Sequence, residues 1–74
     1  MVKMTLGIEG MACPMCEAHV NGAIRKAFAV KEVSSSHVKN ETVIVADSEI
    51  GEADLRRILD PTGYRLVSVR SETL

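Results

Sequence analysis

The two cysteines of this chain, Cys13 and Cys16, are the residues best suited to chemistry. They lie in the segment Gly-Met-Ala-Cys-Pro-Met-Cys at positions 10–16, with two residues between them. Two thiolates at this spacing can hold a soft metal ion, exchange electrons through a disulfide, or form a static bridge. Structural zinc takes four ligands, and the chain has no second Cys-x-x-Cys and no closely spaced histidine pair. Two thiolates alone suit the low coordination number of Cu(I).

The segments on either side of the cysteines predict a strand followed by a helix. Before the cysteines, apolar residues alternate with more polar ones, as in a strand with one buried face: Val2, Met4, Leu6 and Ile8. After them, apolar residues recur at helical spacing and predict a helix over about residues 15–28: Val20, Ala23, Ile24, Ala27 and Phe28. Pro14 suits the first turn of this helix. Cys16 should therefore lie in that turn, where the helix dipole stabilises a thiolate, with Cys13 just ahead of it.

The remainder of the chain predicts three strands and a second helix. A weaker strand over residues 30–38 leads through a turn at Asn40 to a strand over 42–46, whose apolar run 43–45 predicts a central, well-covered position. A helix over residues 51–59 ends at Pro61 and Gly63, and a last strand follows over 64–70. The order βαββαβ predicts one α+β domain over residues 1–74. Its fold would be a ferredoxin-like open-faced sandwich, a four-stranded antiparallel sheet with two helices on one face. That topology places Tyr64 beside Cys13 and Cys16.

The composition limits the classes of partner. The chain is 46% hydrophobic and 26% charged, a composition typical of a folded globular domain. Its net charge of −1 predicts no general attraction to nucleic acid or anionic lipid. No apolar stretch is long enough to insert into a membrane, and the start lacks the apolar region of a secretory signal. We therefore expect a cytoplasmic location, where thiols are kept reduced and a static disulfide is disfavoured.

The motif Gly10-Met11-x-Cys13-x-x-Cys16, with Thr62-Gly63-Tyr64 later in the chain, resembles the heavy-metal-associated domain family. The resemblance covers essentially the whole chain. Soluble copper chaperones and the N-terminal domains of copper-transporting ATPases belong to this family. It implies that Cys13 and Cys16 bind the metal, that Met11 packs beneath the loop and that Tyr64 supports the site from beside it. A tyrosine at position 64 resembles bacterial chaperones. Ala12 stands where zinc- and cadmium-transporting relatives often have Asp, which favours Cu(I).

The function that the resemblance implies is that of a cytoplasmic Cu(I) chaperone rather than an enzyme. It would pass copper by thiolate exchange to a metal-binding domain of a copper-transporting ATPase or to a copper-responsive regulator. It would act as a monomer or a metal-bridged dimer. Met15, between the cysteines, and His19, one turn after Cys16, are accessory candidates. Simpler interpretations make Met15 a partner contact and His19 a solvated side chain.

Two alternatives remain open from the sequence. Cys-Pro-Met-Cys between a strand and a helix is also similar to the active site of glutaredoxins, where Cys13 would be the nucleophile and Cys16 the resolving thiol. Against it, the chain lacks the glutaredoxin Pro before a central strand, and its last segment predicts a strand where glutaredoxins have a helix. A sequestering or regulatory domain for zinc, cadmium or mercury is the other alternative. The run Ser34-Ser35-Ser36-His37 is atypical for the second strand of a heavy-metal-associated domain, and no metal role is predicted for His37.

Overall fold

The computed structural model describes residues 1–11 and 14–74, so Ala12 and the predicted ligand Cys13 lie outside the described residues. Within the described ranges the elements follow the order βαββαβ. The strands are β1 (Val2–Glu9), β2 (Glu32–Ser36), β3 (Glu41–Ala46) and β4 (Arg65–Thr73). The helices are α1 (Pro14–Ala27) and α2 (Glu52–Leu59), and a short 3₁₀ turn over Asp60–Thr62 follows α2. No helix within residues 1–11 and 14–74 is long and apolar enough to cross a membrane.

The four strands form one antiparallel sheet in the spatial order β2-β3-β1-β4. The central pair β1 and β3 is in register from Val2 opposite Ala46 to Gly7 opposite Glu41. On its other side β1 pairs with β4, with an irregularity in the register between Gly7 and Ile8. The predicted ferredoxin-like fold is confirmed. The last described element is a strand, whereas the glutaredoxin-like alternative predicts a helix there.

One hydrophobic core lies between the sheet and the two helices. Alternate residues of β1, namely Met4, Leu6 and Ile8, are at most 1% exposed, so the period-two pattern identified the buried face of this strand. The helices close that face with two pairs of fully buried residues spaced by one helical turn, Val20 and Ile24 on α1, and Leu55 and Leu59 on α2. The opposite face of the sheet has no helix packed on it among the described elements.

Several boundaries, most of them by one or two residues, and one environment differ from the sequence prediction. β2 is shorter than residues 30–38, α1 begins at Pro14 rather than 15, and β4 continues to Thr73 because its last residues pair with the beginning of β1. β3 is central, but only Ile44 of the apolar run is fully buried, and Val43 and Val45 are half-buried on the open face. The prediction that this run is well covered was therefore wrong. β-branched residues favour an extended strand even where one face stays open to solvent, so the run reflects strand preference rather than burial on both sides.

Candidate metal centre

Cys16 lies in the first turn of α1, because the helix begins at Pro14. Its side chain is half-buried and packs against the hydrophobic core. Charges along α1 follow the helix dipole, with Glu17 in the first turn and Arg25 and Lys26 in the last. The unpaired N–H groups and partial positive charge of a helix N-terminus favour a thiolate over a thiol. Cys16 therefore has the environment of a ligand or a nucleophile.

The end of β1 approaches the start of β4 closely at Gly10. Gly10 has a φ of +103°, and a Cβ built there would lie 3.2 Å from Cδ1 of Tyr64 and 3.5 Å from the carbonyl oxygen of Gly63. Any larger residue would be strained by this backbone conformation and would crowd the tyrosine ring. The glycine of the motif thus lets the segment that leads to Cys13 lie against Tyr64.

The Thr62-Gly63-Tyr64 segment is a capped turn that presents Tyr64 at this end of the molecule. The Thr62 hydroxyl donates to the carbonyl oxygen of Leu59 at 2.5 Å, and the Gly63 N–H donates to that of Asp60 at 3.1 Å. Gly63 ends the turn in the left-handed region with a φ of +89°. Tyr64 is half-buried and packs against the core. Gly10, three residues before Cys13 in the sequence, lies against Tyr64, whereas the predicted position of Tyr64 beside Cys13 and Cys16 stays a prediction, and Cys13 lies outside the described residues.

The turn between β2 and β3 reaches the same end and contacts α1, which the sequence analysis did not foresee. The Ile8 N–H donates to the carbonyl oxygen of Asn40 at 2.8 Å, which ties this turn to the end of β1. One carboxylate oxygen of Glu17 accepts hydrogen bonds from the backbone N–H of His37 at 2.7 Å and from its ring nitrogen Nδ1 at 2.5 Å. Both hydrogen bonds hold the pKa of Glu17 below its ordinary value of 4.5, and the backbone bond has the larger effect. The atypical Ser-Ser-Ser-His run is the feature of the sequence that could have indicated this contact.

The sequence matches no protein-family profile. The N-terminal domain of ZntA, solved in an apo form and a Zn(II) form, has a TM-score of 0.75 and 28% identity, over 97% of this chain and 93% of that one. A CopZ metallochaperone has the same TM-score with 21% identity, over 88% of this chain and 98% of that one. The chain has the fold of the heavy-metal-associated domains.

One curated relative extends this likeness at the level of sequence. A mercuric reductase of Lysinibacillus sphaericus is 32% identical over 65 residues, which is 88% of this chain. The matched part is 12% of the reductase, so the chain spans about an eighth of the length of that relative.

The structure distributes the predicted site residues of the domain between its core and its surface. Met11 is 5% exposed and belongs to the core. Met15 is 69% exposed at the start of α1, and His19 is also exposed. Within residues 1–11 and 14–74, no three His, Cys, Asp or Glu side chains are grouped closely enough to hold a metal ion. The pairing of Cys16 with Cys13, and any role for Met15 or His19 as a ligand, remain predictions.

Proposed function

We propose that this domain binds Cu(I) between the thiolates of Cys13 and Cys16 and delivers it to an acceptor protein. The observation that supports this best is the place of Cys16, half-buried in the first turn of α1 and three residues after Cys13 in the sequence. Thiolates select soft metal ions, and two of them leave the coordination of Cu(I) open to a third ligand. The likeness in fold to a metallochaperone and to the N-terminal domain of ZntA agrees with a role in binding and transfer rather than catalysis.

Transfer proceeds by ligand exchange. A deprotonated thiol of the acceptor forms a third bond to copper, and the bond to Cys13 or Cys16 then breaks. The departing thiolate takes up a proton from solvent and replaces the one that the acceptor thiol released. Copper remains Cu(I) throughout, so no electron donor or acceptor takes part. A metal held by two ligands near the protein surface is suited to this exchange because the incoming thiolate needs no ligand to leave first.

The resemblance to copper chaperones suggests the acceptor and the location. We propose a metal-binding domain of a copper-transporting ATPase, or a copper-responsive regulator, as the acceptor, with transfer in the cytoplasm. In this proposal Tyr64 lies beside the metal and affects its release, and the exposed thioether of Met15 contacts the acceptor. Met11 anchors the loop from within the core.

Hg(II) is a second candidate cargo, favoured by the 32% identity to a mercuric reductase. It is also a soft ion, so the same two thiolates would hold it. The domain would then hand Hg(II) to another pair of thiolates by the same exchange.

The test is an anaerobic titration of the reduced protein with Cu(I) against bathocuproine disulfonate, with parallel competitions for Hg(II) and Zn(II). We expect one Cu(I) per chain, bound tightly enough to be withdrawn from the chelator, and loss of this binding in both Cys13→Ser and Cys16→Ser. His19→Ala is the control, and we expect its affinity to change by less than about tenfold, or roughly 1.4 kcal/mol. A single cysteine variant that keeps tight binding would contradict the two-thiolate site. Preferential binding of Hg(II) would replace the proposed cargo.

A further inference from the structure

Two polar contacts join one face of α1 to β2 and the turn that follows it. Glu17 accepts both hydrogen bonds of His37, and one helical turn later Asn21 accepts a hydrogen bond from the Ser35 hydroxyl at 2.6 Å. Behind the second contact, the hydroxyls of Ser35 and Thr42 are 2.8 Å apart. We call the Glu17–His37 contact the first rung and the Asn21–Ser35 contact the second rung.

The spacing of the two rungs follows from the geometry of a helix lying along a strand. Glu17 and Asn21 are four residues apart on one face of α1, a rise of about 6 Å. Ser35 lies in β2, and His37, the first residue of the turn that follows, is two residues further on and up to about 6.8 Å away. Because the two distances nearly agree, both rungs form together. This arrangement also explains two residues of the Ser-Ser-Ser-His run, since Ser35 and His37 carry the polar groups that contact α1.

The first rung is attached directly to the turn that carries Cys16. Glu17 is the next residue along α1, and neighbouring helical residues point in different directions, so Glu17 can bind the β2–β3 turn while Cys16 packs against the core. The side chains of His37 and Glu17 are 30% and 25% exposed, so water has limited access to the pair. An ionised carboxylate only accepts hydrogen bonds, so Nδ1 of His37 carries the proton that is shared. Hydrogen bonds of this charged kind are stronger than neutral ones.

We propose that the first rung is a positioning device for the metal site: it fixes the first turn of α1 to the β2–β3 turn and limits the movement of Cys16 during metal exchange. This inference rests on the proposed function. With the rung formed, copper leaves Cys16 only as fast as the anchored turn allows. Without it, the turn opens more often, and both the backbone and the bound metal exchange faster. Glu17 and His37 act through Cys16 and do not bind the metal themselves.

The test compares His37→Ala, which removes the ring hydrogen bond of the first rung and keeps the backbone one, with Asn21→Ala, which removes the second rung and leaves the first intact. Hydrogen exchange of the Ala18 and His19 amides in the metal-free protein reports opening of the first turn, because these N–H groups bond to the carbonyls four residues earlier. The rate of Cu(I) removal by excess bathocuproine disulfonate reports exchange at the metal site. For His37→Ala we expect both rates to rise by about tenfold, the effect of losing a hydrogen bond to a charged group. For Asn21→Ala we expect both to stay near those of the unchanged protein after correction for global stability.

His37→Asn separates a positioning role from a loss of packing. Its side-chain nitrogen is as many bonds from Cα as Nδ1 of histidine, so it can donate to Glu17 and should restore most of the slow exchange. If His37→Ala and Asn21→Ala behave alike, or if His37→Asn restores nothing, the proposal is wrong. If the unchanged protein does not hold Cu(I), the proposed function fails and the role at the metal site fails with it. In that case the amide exchange still shows whether the rung fastens the turn, so the two failures are distinguished.

Discussion

Gly10→Ala should destabilise the protein, whereas Gly22→Ala should stabilise it. Gly10→Ala is the more informative of the two variants. Gly10 has a φ of +103°, a conformation that costs a residue with a Cβ about 2 kcal/mol. Alanine also restricts the unfolded chain, which returns about 0.4–1 kcal/mol. The net loss should be about 1 kcal/mol, and the 3.2 Å approach of the new Cβ to the Tyr64 ring can only add to it.

Gly22→Ala is the matched control. Gly22 lies within α1, and nothing stands within 4 Å of a Cβ built there. Alanine should therefore stabilise the helix by about 0.8–1 kcal/mol, the difference in helix propensity. The two variants should differ by about 2 kcal/mol in the free energy of unfolding by urea. Their midpoint temperatures should lie on opposite sides of the unchanged protein, each shifted by about 4–8 °C per kcal/mol. Gly10→Ala with unchanged stability would refute the argument that the backbone at this position requires glycine.

Four further predictions concern the core, the polar contacts and the site. Met11→Ala should cost about 2–5 kcal/mol in urea unfolding because its side chain is in the core, whereas Met15→Ala on the surface should stay within about 0.5 kcal/mol; equal losses would contradict this placement. Ser35→Ala should cost about 1–3 kcal/mol, since it leaves the buried Thr42 hydroxyl without its partner; a neutral result would show that water replaces it. Because the pKa of Glu17 is lowered on folding, its stabilising contribution is complete above its unfolded pKa and is lost as the pH falls through the folded value. Urea midpoints between pH 6 and pH 3 should therefore fall less steeply in His37→Ala, which loses the ring hydrogen bond and keeps the larger effect of the backbone one; parallel profiles would show that the ring does not contribute to the lowered pKa. Tyr64→Ala should change the rate of Cu(I) removal by a chelator more than it changes the unfolding midpoint; the reverse order would make Tyr64 a packing residue only.

The sequence predicted the elements that rest on local patterns. The alternation in β1 identified its buried face, and Pro14 with the following apolar spacing placed Cys16 in the first turn of α1, as observed. Glycine and proline after α2 marked the turn that leads to Tyr64. These features depend on residues close together in the chain, where periodicity and backbone preference act directly.

The features that the sequence did not predict depend on how distant segments meet. Val43 and Val45 suit a strand whether or not anything covers them, so the uncovered face of β3 could be seen only once both helices were placed. The end of β4 at Thr73 follows from pairing with β1, and the residues from 70 onward show no alternation that would announce it. The Glu17–His37 contact joins residues 20 apart in sequence. This contact could be predicted only once the position of α1 across β2 was known.

X-ray absorption at the copper edge of the Cu(I)-loaded, reduced protein tests the two-thiolate site most directly. We predict two sulfur neighbours for copper and no nitrogen neighbour, with an unchanged spectrum in His19→Ala and loss of the two-sulfur signal in Cys16→Ser. A nitrogen neighbour that disappears in His19→Ala, or a copper site that keeps two sulfur neighbours in Cys16→Ser, would contradict it.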